Sequence, residues 1–262
     1  MDASVSSGSS SGAHRQPVMS YHRGDMSERE KMITGRPYRH YTDFQLIIDR
    51  DTCMRAVHEY NESALGPLGP ETQTAREMAF RRIIEPGLRG GDPEQWRGVP
   101  PGSVGMRTIV TTPFKCEYGY NLHFGDDVVV GANCQFWDSA RIEIGSHTFI
   151  GPNVKLYCMA PSVAMANRGG SLGDYRAGMI RIEDHCFIGA DVTILPYRTI
   201  GRGAVIAAGS IVTRVSLSSH LFNKFSGVDL RRKLRRLKAN MSVFPGRPPQ
   251  HCRRRKSCET RS

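Results

Sequence analysis

The sequence predicts a mainly β repeat architecture behind a small α-helical unit, and three observations predict it. From Ile182 to Val212 an aliphatic residue returns every six positions, at Ile182, Ile188, Ile194, Ile200, Ile206 and Val212. Small residues keep one phase, because Gly189 and Gly201 follow two of these aliphatics directly and Ala207 follows a third. The same period shows earlier, at Phe124, Val130 and Phe136 and again at Ile144, Ile150 and Leu156, with Gly125, Gly131, Gly145 and Gly151 behind four of them. This is neither the helical period nor the alternation of an ordinary strand. A short fixed period with small residues at one phase marks units that stack and bury a continuous core.

The elements follow in order. Residues 1–25 are Ser/Gly-rich with few large apolars, a composition expected to be disordered. Residues 26–84 read as the helical unit. Ser27-Glu28-Arg29-Glu30 is a capping box, and it opens a short helix that should run to about Thr34 and stop at Gly35. Asp43 is a plausible N-cap for a second helix ending near Asn61, with Phe44, Ile47, Ile48, Met54 and Val57 as its buried stripe. A third helix is expected from about Glu71 to Ile84, carrying Ala75, Met78, Ala79 and Ile83. Residues 85–106 are a Gly/Pro-rich linker. The repeat domain is expected over 107–214, with a two-residue phase slip at WDSARIEI. Between Leu156 and Ile182 the period stops, and a long insertion in a repeat array usually leaves the stack as a loop that carries function.

Charge and composition exclude several classes. The formal charge of +11 sits entirely in residues 231–262, which hold 12 Lys/Arg and one acid, so the body is neutral. A neutral body offers no electrostatic footprint for a phosphate backbone. The run RRKLRRLK in that tail could meet an acidic partner such as nucleic acid or a membrane surface, although most such runs are solvated. No stretch of 18 apolar residues predicts a membrane span, and the N-terminus lacks the apolar core of a secretory signal. The seven cysteines lack CxxC spacing, which suits free thiols in a reducing, cytoplasmic compartment.

Taken together, MSEREKMITGRPY, the helix ending HEYN, FKCEYGYNLHFGDD, IGPNVKLY and IGADVTILPYRTIGRGAVIAAGSIVTR resemble the maltose/galactoside O-acetyltransferases of the hexapeptide-repeat superfamily. The resemblance runs from Met26 to Arg214. It implies a left-handed parallel β-helix shaped as a triangular prism, assembly as a homotrimer, and acetyl-CoA bound between neighbouring prisms as co-substrate. It also implies acetyl transfer to a hydroxyl of a sugar or related small molecule, with a His as general base and donors steadying the oxyanion.

Residue by residue, the carry-over is incomplete. The position of the family's catalytic His holds Ala160, and no His lies between Leu156 and Ile182, so the catalytic residue is left unassigned. Asp174, Tyr175 and Asp138 are candidate bases among which spacing does not choose. The family's Asn in the preceding coil is replaced by Gly131, with Asn133 two residues on. Asp43 and Arg50 match the acceptor-binding pair. Ala190, Ala208, Thr213 and Arg214 match positions lining the CoA groove, where small residues let pantetheine approach the backbone and Arg214 could meet a phosphate. After Arg214 the family's closing segment is absent, and residues 215–262 form a divergent basic tail. His123, His147 and His185 are candidates for a zinc site, but only His147 and His185 share a phase, His123 does not, and no metal is expected. Two readings from different classes follow: a CoA-dependent O-acetyltransferase using another base, or a family-derived binding or scaffold module without transfer.

Overall fold

The computed structural model describes residues 26–63, 70–213 and the backbone of 221–222. The Ser/Gly-rich start, Arg214 and nearly all of the basic tail, for which expectations were stated above, lie outside the described residues. Among the described residues no helix is long and apolar enough to cross a membrane.

Helix α1 (Glu28–Ile33) starts at the capping box. The Ser27 hydroxyl accepts from the Glu30 N–H at 3.2 Å, and Glu30 Oε2 accepts from the Ser27 N–H at 2.8 Å. Gly35 at φ +71° follows its end, a conformation that favours glycine. Helix α2 (Phe44–Ser63) starts at Asp43, whose Oδ1 accepts from the Leu46 N–H at 2.9 Å. Helix α3 spans Pro70–Ile84.

The buried face of α2 differs from the expected one. Leu46, Asp49, Cys53, Ala56, Val57 and Tyr60 face the core, whereas Phe44, Ile47 and Met54 are exposed. The cause is Asp49. It occupies a core phase because Arg29 of α1 reaches it with two nitrogens at 2.8 and 2.6 Å. The Tyr120 hydroxyl and the Gln45 amide also donate to it. With four hydrogen bonds accepted, a carboxylate can hold a core position, and the apolar residues on the opposite side of the helix, about 140–160° away, turn outward. In α3 the buried residues are Phe80, Ile83 and Ile84, while Ala75 and Met78 are exposed.

The repeat domain is a parallel β-solenoid with three faces. Its first coil contains β1 (Ser103–Val104), β2 (Ile109–Val110) and β3 (Phe114–Cys116); its second contains β4 (Leu122–Phe124), β5 (Val129–Val130) and β6 (Cys134–Trp137). The third holds β7 (Ile142–Ile144), β8 (Phe149–Ile150) and β9 (Lys155–Tyr157). A hairpin of β10 (Met159–Pro161) and β11 (Tyr175–Ala177) then leaves the stack. Two further coils follow: β12 (Ile180–Ile182), β13 (Phe187–Ile188) and β14 (Thr193–Ile194), then β15 (Arg198–Ile200), β16 (Val205–Ile206) and β17 (Ile211–Val212). Strand β18 (Leu221–Phe222) extends the second face. The faces are β1-β4-β7-β12-β15, β2-β5-β8-β13-β16-β18 and β3-β6-β9-β14-β17. The solenoid thus begins at Ser103, inside the stretch expected to be linker.

The hexapeptide aliphatics point inward and are buried; Val130, Ile150, Ile188 and Ile206 are all fully so, each contributing about 1.5–3 kcal/mol. Register explains the phase slip. Ile182 pairs with Ile200, eighteen residues on, which is three hexapeptides. Leu122 pairs with Ile142, twenty residues on. In the first two coils the additional residues fall between the third face and the first, at Glu117–Asn121 and at Asp138–Arg141. In the third coil the whole β10–β11 hairpin is inserted at that same edge. Every described departure from the six-residue period therefore lies along one edge of the prism.

Candidate active site

This edge is built outward from a buried carboxylate. Asp138 is fully buried, and its oxygens accept the backbone N–H groups of Glu117 and Tyr118 at 2.9 Å each and of Gly119 at 2.7 Å. It stitches the wide corner of the second coil to that of the first. Burial pushes its carboxyl up to about 6 even though the three N–H bonds and their dipoles favour the anion. A carboxylate so enclosed and so fully hydrogen-bonded serves the corner, and it does not reach an external hydroxyl.

The chain between α1 and α2 docks on this edge. Tyr38 and Tyr175 exchange backbone hydrogen bonds at 3.0 Å in both directions, so the N-terminal segment pairs with the outer strand of the hairpin. That pairing brings His40 beneath the hairpin, its ring centroid 5.4 Å from that of Tyr175. His40 is fully buried. Its Nδ1 lies 3.2 Å from the Tyr38 hydroxyl, and its Nε2 faces Glu117 Oε1 at 3.6 Å without a hydrogen-bond partner. The other oxygen of Glu117 accepts from the Ser139 hydroxyl at 3.1 Å. Burial raises the Tyr38 phenol, which therefore stays protonated.

Glu117 also opens outward. It lines a cleft of about 620 Å³ between α2 and the third face, together with Arg50, Ile47, Met54, Gln135 and Trp137. Two of the exposed apolar residues of α2, Ile47 and Met54, thus form part of one wall of this cleft. Arg50 donates to the Tyr118 hydroxyl at 2.8 Å and sits 5.8 Å from the ring centres of Tyr41 and Tyr118. Trp137 stacks on Tyr157 with centroids 4.5 Å apart. Behind the cleft, Cys53 and Cys116 face each other as free thiols at 3.7 Å.

The sequence candidates fall into separate places. Ala160 lies in β10 opposite Arg176 and offers only a methyl group. Tyr175 is buried and its hydroxyl turns to the Gly170 carbonyl; Asp174 pairs with Arg39 at 3.3 Å. Arg50 is in the cleft, while Asp43 is buried and caps α2. Gly131 and Asn133 belong to the corner between the second and third faces. There Asn133, at φ +59°, donates to the Asn153 side chain at 2.8 Å. Ala190 and Ala208 stack on that corner two and three coils further on. The approach is close: a Cβ on Gly189 would come within 2.5 Å of the Ala208 nitrogen. Ala190 is half-buried, and Ala208 and Thr213 are exposed. His147 and His185 stack at another corner with centroids 4.8 Å apart, and His123 lies on the first face against Ser103. Sequence reasoning missed Glu117, His40 and Ser139. Glu117 and Ser139 had one signal, that CEYGYN and WDSARI are each two residues too long for the repeat, and His40 had none.

Comparison with known proteins agrees with this architecture. Residues 31–86 match the maltose acetyltransferase hexapeptide capping motif, and residues 179–214 match the bacterial transferase hexapeptide (six repeats). A putative acetyltransferase of Schizosaccharomyces pombe is 30% identical over 71% of this chain and 83% of its own length. A maltose O-acetyltransferase from Clostridium difficile 630 superposes with a TM-score of 0.59 at 30% identity, covering 73% of this chain and 89% of that one. A hexapeptide-repeat acetyltransferase from Vibrio cholerae, solved with acetyl-CoA, gives 0.58 at 27% identity, over 73% and 90% of the two chains. On these grounds the chain belongs to the maltose-acetyltransferase family of hexapeptide-repeat acetyltransferases.

Proposed function

We propose that this protein transfers an acetyl group from acetyl-CoA to a hydroxyl of a sugar or a similar hydroxylated small molecule. The observation that carries the proposal is the cleft between α2 and the third face. It combines a cation (Arg50), a carboxylate (Glu117) and aromatic surface (Trp137), the mixture that binds a polyol through hydrogen bonds and ring stacking. Arg50 is the acceptor contact in this reading. Asp43 acts through the helix it caps, which orients Arg50 and the cleft wall.

The pantetheine arm of CoA fits the corner of small residues at Ala190 and Ala208, with Thr213 beside it, since a methyl side chain leaves little bulk between a ligand and the half-buried or exposed surface there. A homotrimer supplies the opposite wall of that groove. Support for association comes from the second face, whose outward side is an apolar ladder of Ile109, Phe149, Phe187 and Val205, each more than a third exposed. Five unpaired thiols among the described residues suit a reducing compartment.

The test is product formation. Purified full-length protein is incubated with acetyl-CoA and maltose, glucose or methyl galactoside, and acetylated product is read by mass spectrometry. Acetylated sugar above the enzyme-free background is the expected result. Ala160 is the observation that favours the other reading, a CoA-binding module without transfer. That reading predicts CoA binding with no product on any acceptor.

A further inference from the structure

We infer that the proton acceptor of this chain is Glu117, held in place by the buried His40, so that the base stands on the floor of the site and not on the hairpin that carries Ala160. The inference rests on the acetyl-transfer reading above. Four groups from three distant stretches form one closed set: Tyr38, His40, Glu117 and Ser139. Ser139 donates to Glu117 Oε2 at 3.1 Å, and His40 Nε2 faces Oε1 at 3.6 Å. The Tyr38 hydroxyl engages His40 Nδ1 at 3.2 Å.

The direction follows from the tautomer: with the Tyr38 phenol donating to Nδ1, the imidazole proton sits on Nε2, which faces the carboxylate. That nitrogen is fully buried with no partner within hydrogen-bond distance, a state that carries the desolvation cost of an unpaired polar atom. Closing 3.6 Å to an ordinary hydrogen bond recovers that cost. Catalytic hydrogen bonds are commonly long in an unliganded site and tighten once the substrate is bound. Of the four groups only Glu117 reaches the cleft, its side chain 18% exposed, while His40 is sealed beneath Tyr175. Glu117 therefore touches the acceptor, and His40 is a positioning residue.

The charged neighbours of Glu117 come from every side. Arg50 and Asp51 of α2 and Lys115 of β3 share its cleft. Asp138, which holds the Glu117 N–H, lies behind it. In the step, the acceptor hydroxyl gives its proton to a Glu117 oxygen as the acceptor oxygen bonds to the thioester carbonyl carbon. The tetrahedral adduct then collapses, the carbon–sulfur bond breaks, and the proton passes to the departing CoA sulfur. Products are the acetyl ester and free CoA, and Glu117 is regenerated.

The experiment measures kcat and KM with the acceptors named above for wild type, Glu117→Gln, Glu117→Ala and His40→Gln, with circular dichroism as a check of folding. Glu117→Gln should lower kcat by about 10²–10⁴-fold with both KM values little changed. Added formate should restore part of the activity of Glu117→Ala by supplying a carboxylate to the vacated position, and should not restore His40→Gln. A Glu117→Gln enzyme within about threefold of wild type overturns the assignment while acetyl transfer itself stands. Folded but inactive Glu117→Ala that formate does not rescue also overturns it, by pointing to a structural role. Wild type without product on any acceptor removes the transfer reading and this inference with it.

Discussion

Asp49 offers the most direct test of what holds the helical unit to the solenoid. It is fully buried at a core phase of α2. Its carboxylate takes two bonds from Arg29, one from Tyr120 and one from Gln45. Replacing Asp49 with Leu leaves the Arg29 guanidinium, its side chain only 13% exposed, without its counter-charge. Four hydrogen bonds to a charged acceptor at about 1.5–3 kcal/mol each give a gross loss of roughly 6–12 kcal/mol. Part of this is returned because a carboxylate no longer has to be desolvated, and breaking a buried pair typically costs about 3–5 kcal/mol. That range is the expected loss in urea unfolding followed by tryptophan fluorescence, since Trp96 lies within 6.0 Å of the Arg29 guanidinium. The double variant Arg29→Met/Asp49→Leu removes both charges and should recover most of the loss, with about 1–3 kcal/mol remaining for the stranded Tyr120 hydroxyl. A single variant within about 1 kcal/mol of wild type would refute the reasoning. So would a double variant whose loss equals the sum of the two singles, because contacting partners must couple.

Three further outcomes follow from the working edge. A Cβ on Gly178 would lie 2.5 Å from the Tyr197 ring, and the Tyr197 hydroxyl holds the Ala177 carbonyl at the base of the hairpin. Gly178→Ala should therefore cost about 1–3 kcal/mol, measured as a lower melting midpoint, and Tyr197→Ala in the same chain should reverse part of it by removing the ring. Asp138 gives a pH signature. Its native carboxyl is held at about 6 against an ordinary 3.8, so the native state binds the proton more tightly than the unfolded chain does. Its contribution to stability is then greatest below about pH 4 and falls as pH rises through about 6. The total amounts to about 3 kcal/mol. Unfolding free energies of wild type minus Asp138→Asn should decline by that order between pH 4 and 7, and a flat difference would contradict it. Finally, Arg50→Ala should raise the acceptor KM with less effect on the acetyl-CoA KM. Equal loss toward both substrates would remove Arg50 from the acceptor side.

The parts of the fold that were legible in the sequence are those fixed by local rules. The six-residue aliphatic period reads directly as the inward face, because a stacked coil has no other place for Ile188 or Ile206. The capping box at Ser27 and Glu30 needs only four consecutive residues, and α1 begins at it. The buried face of α2 was not legible. It is set by a charge at position 49 whose partner lies twenty residues upstream, so a count of apolar residues chose Phe44, Ile47 and Met54, which line the cleft or face solvent. The candidate site was legible only as an absence. The sequence marked the insertion and the missing His, but Glu117, His40 and Ser139 come from three stretches that meet only when the N-terminal segment pairs with the hairpin. Nothing local in RPYRHY announces that its His will be buried under Tyr175.

The reason function collects on one edge is a consequence of the repeat itself. In a strict eighteen-residue coil each position is already committed: to the core, to the outward ladder of a face, or to a tight corner where even a Cβ can be excluded. Only residues in excess of the repeat are free to form a concavity and to carry polar groups inward. Here those residues are the two wide corners and the hairpin, all stacked over one another and all reached by the segment between α1 and α2. Where the resemblance expects an imidazole this chain has Ala160, and the buried His40 behind the Glu117 carboxylate stands at the same edge on a different part of the backbone. For this chain the useful question about catalysis is which of the stretches meeting at that edge delivers a proton acceptor to the cleft, and the hydrogen-bonding set around Glu117 selects the corner of the first coil.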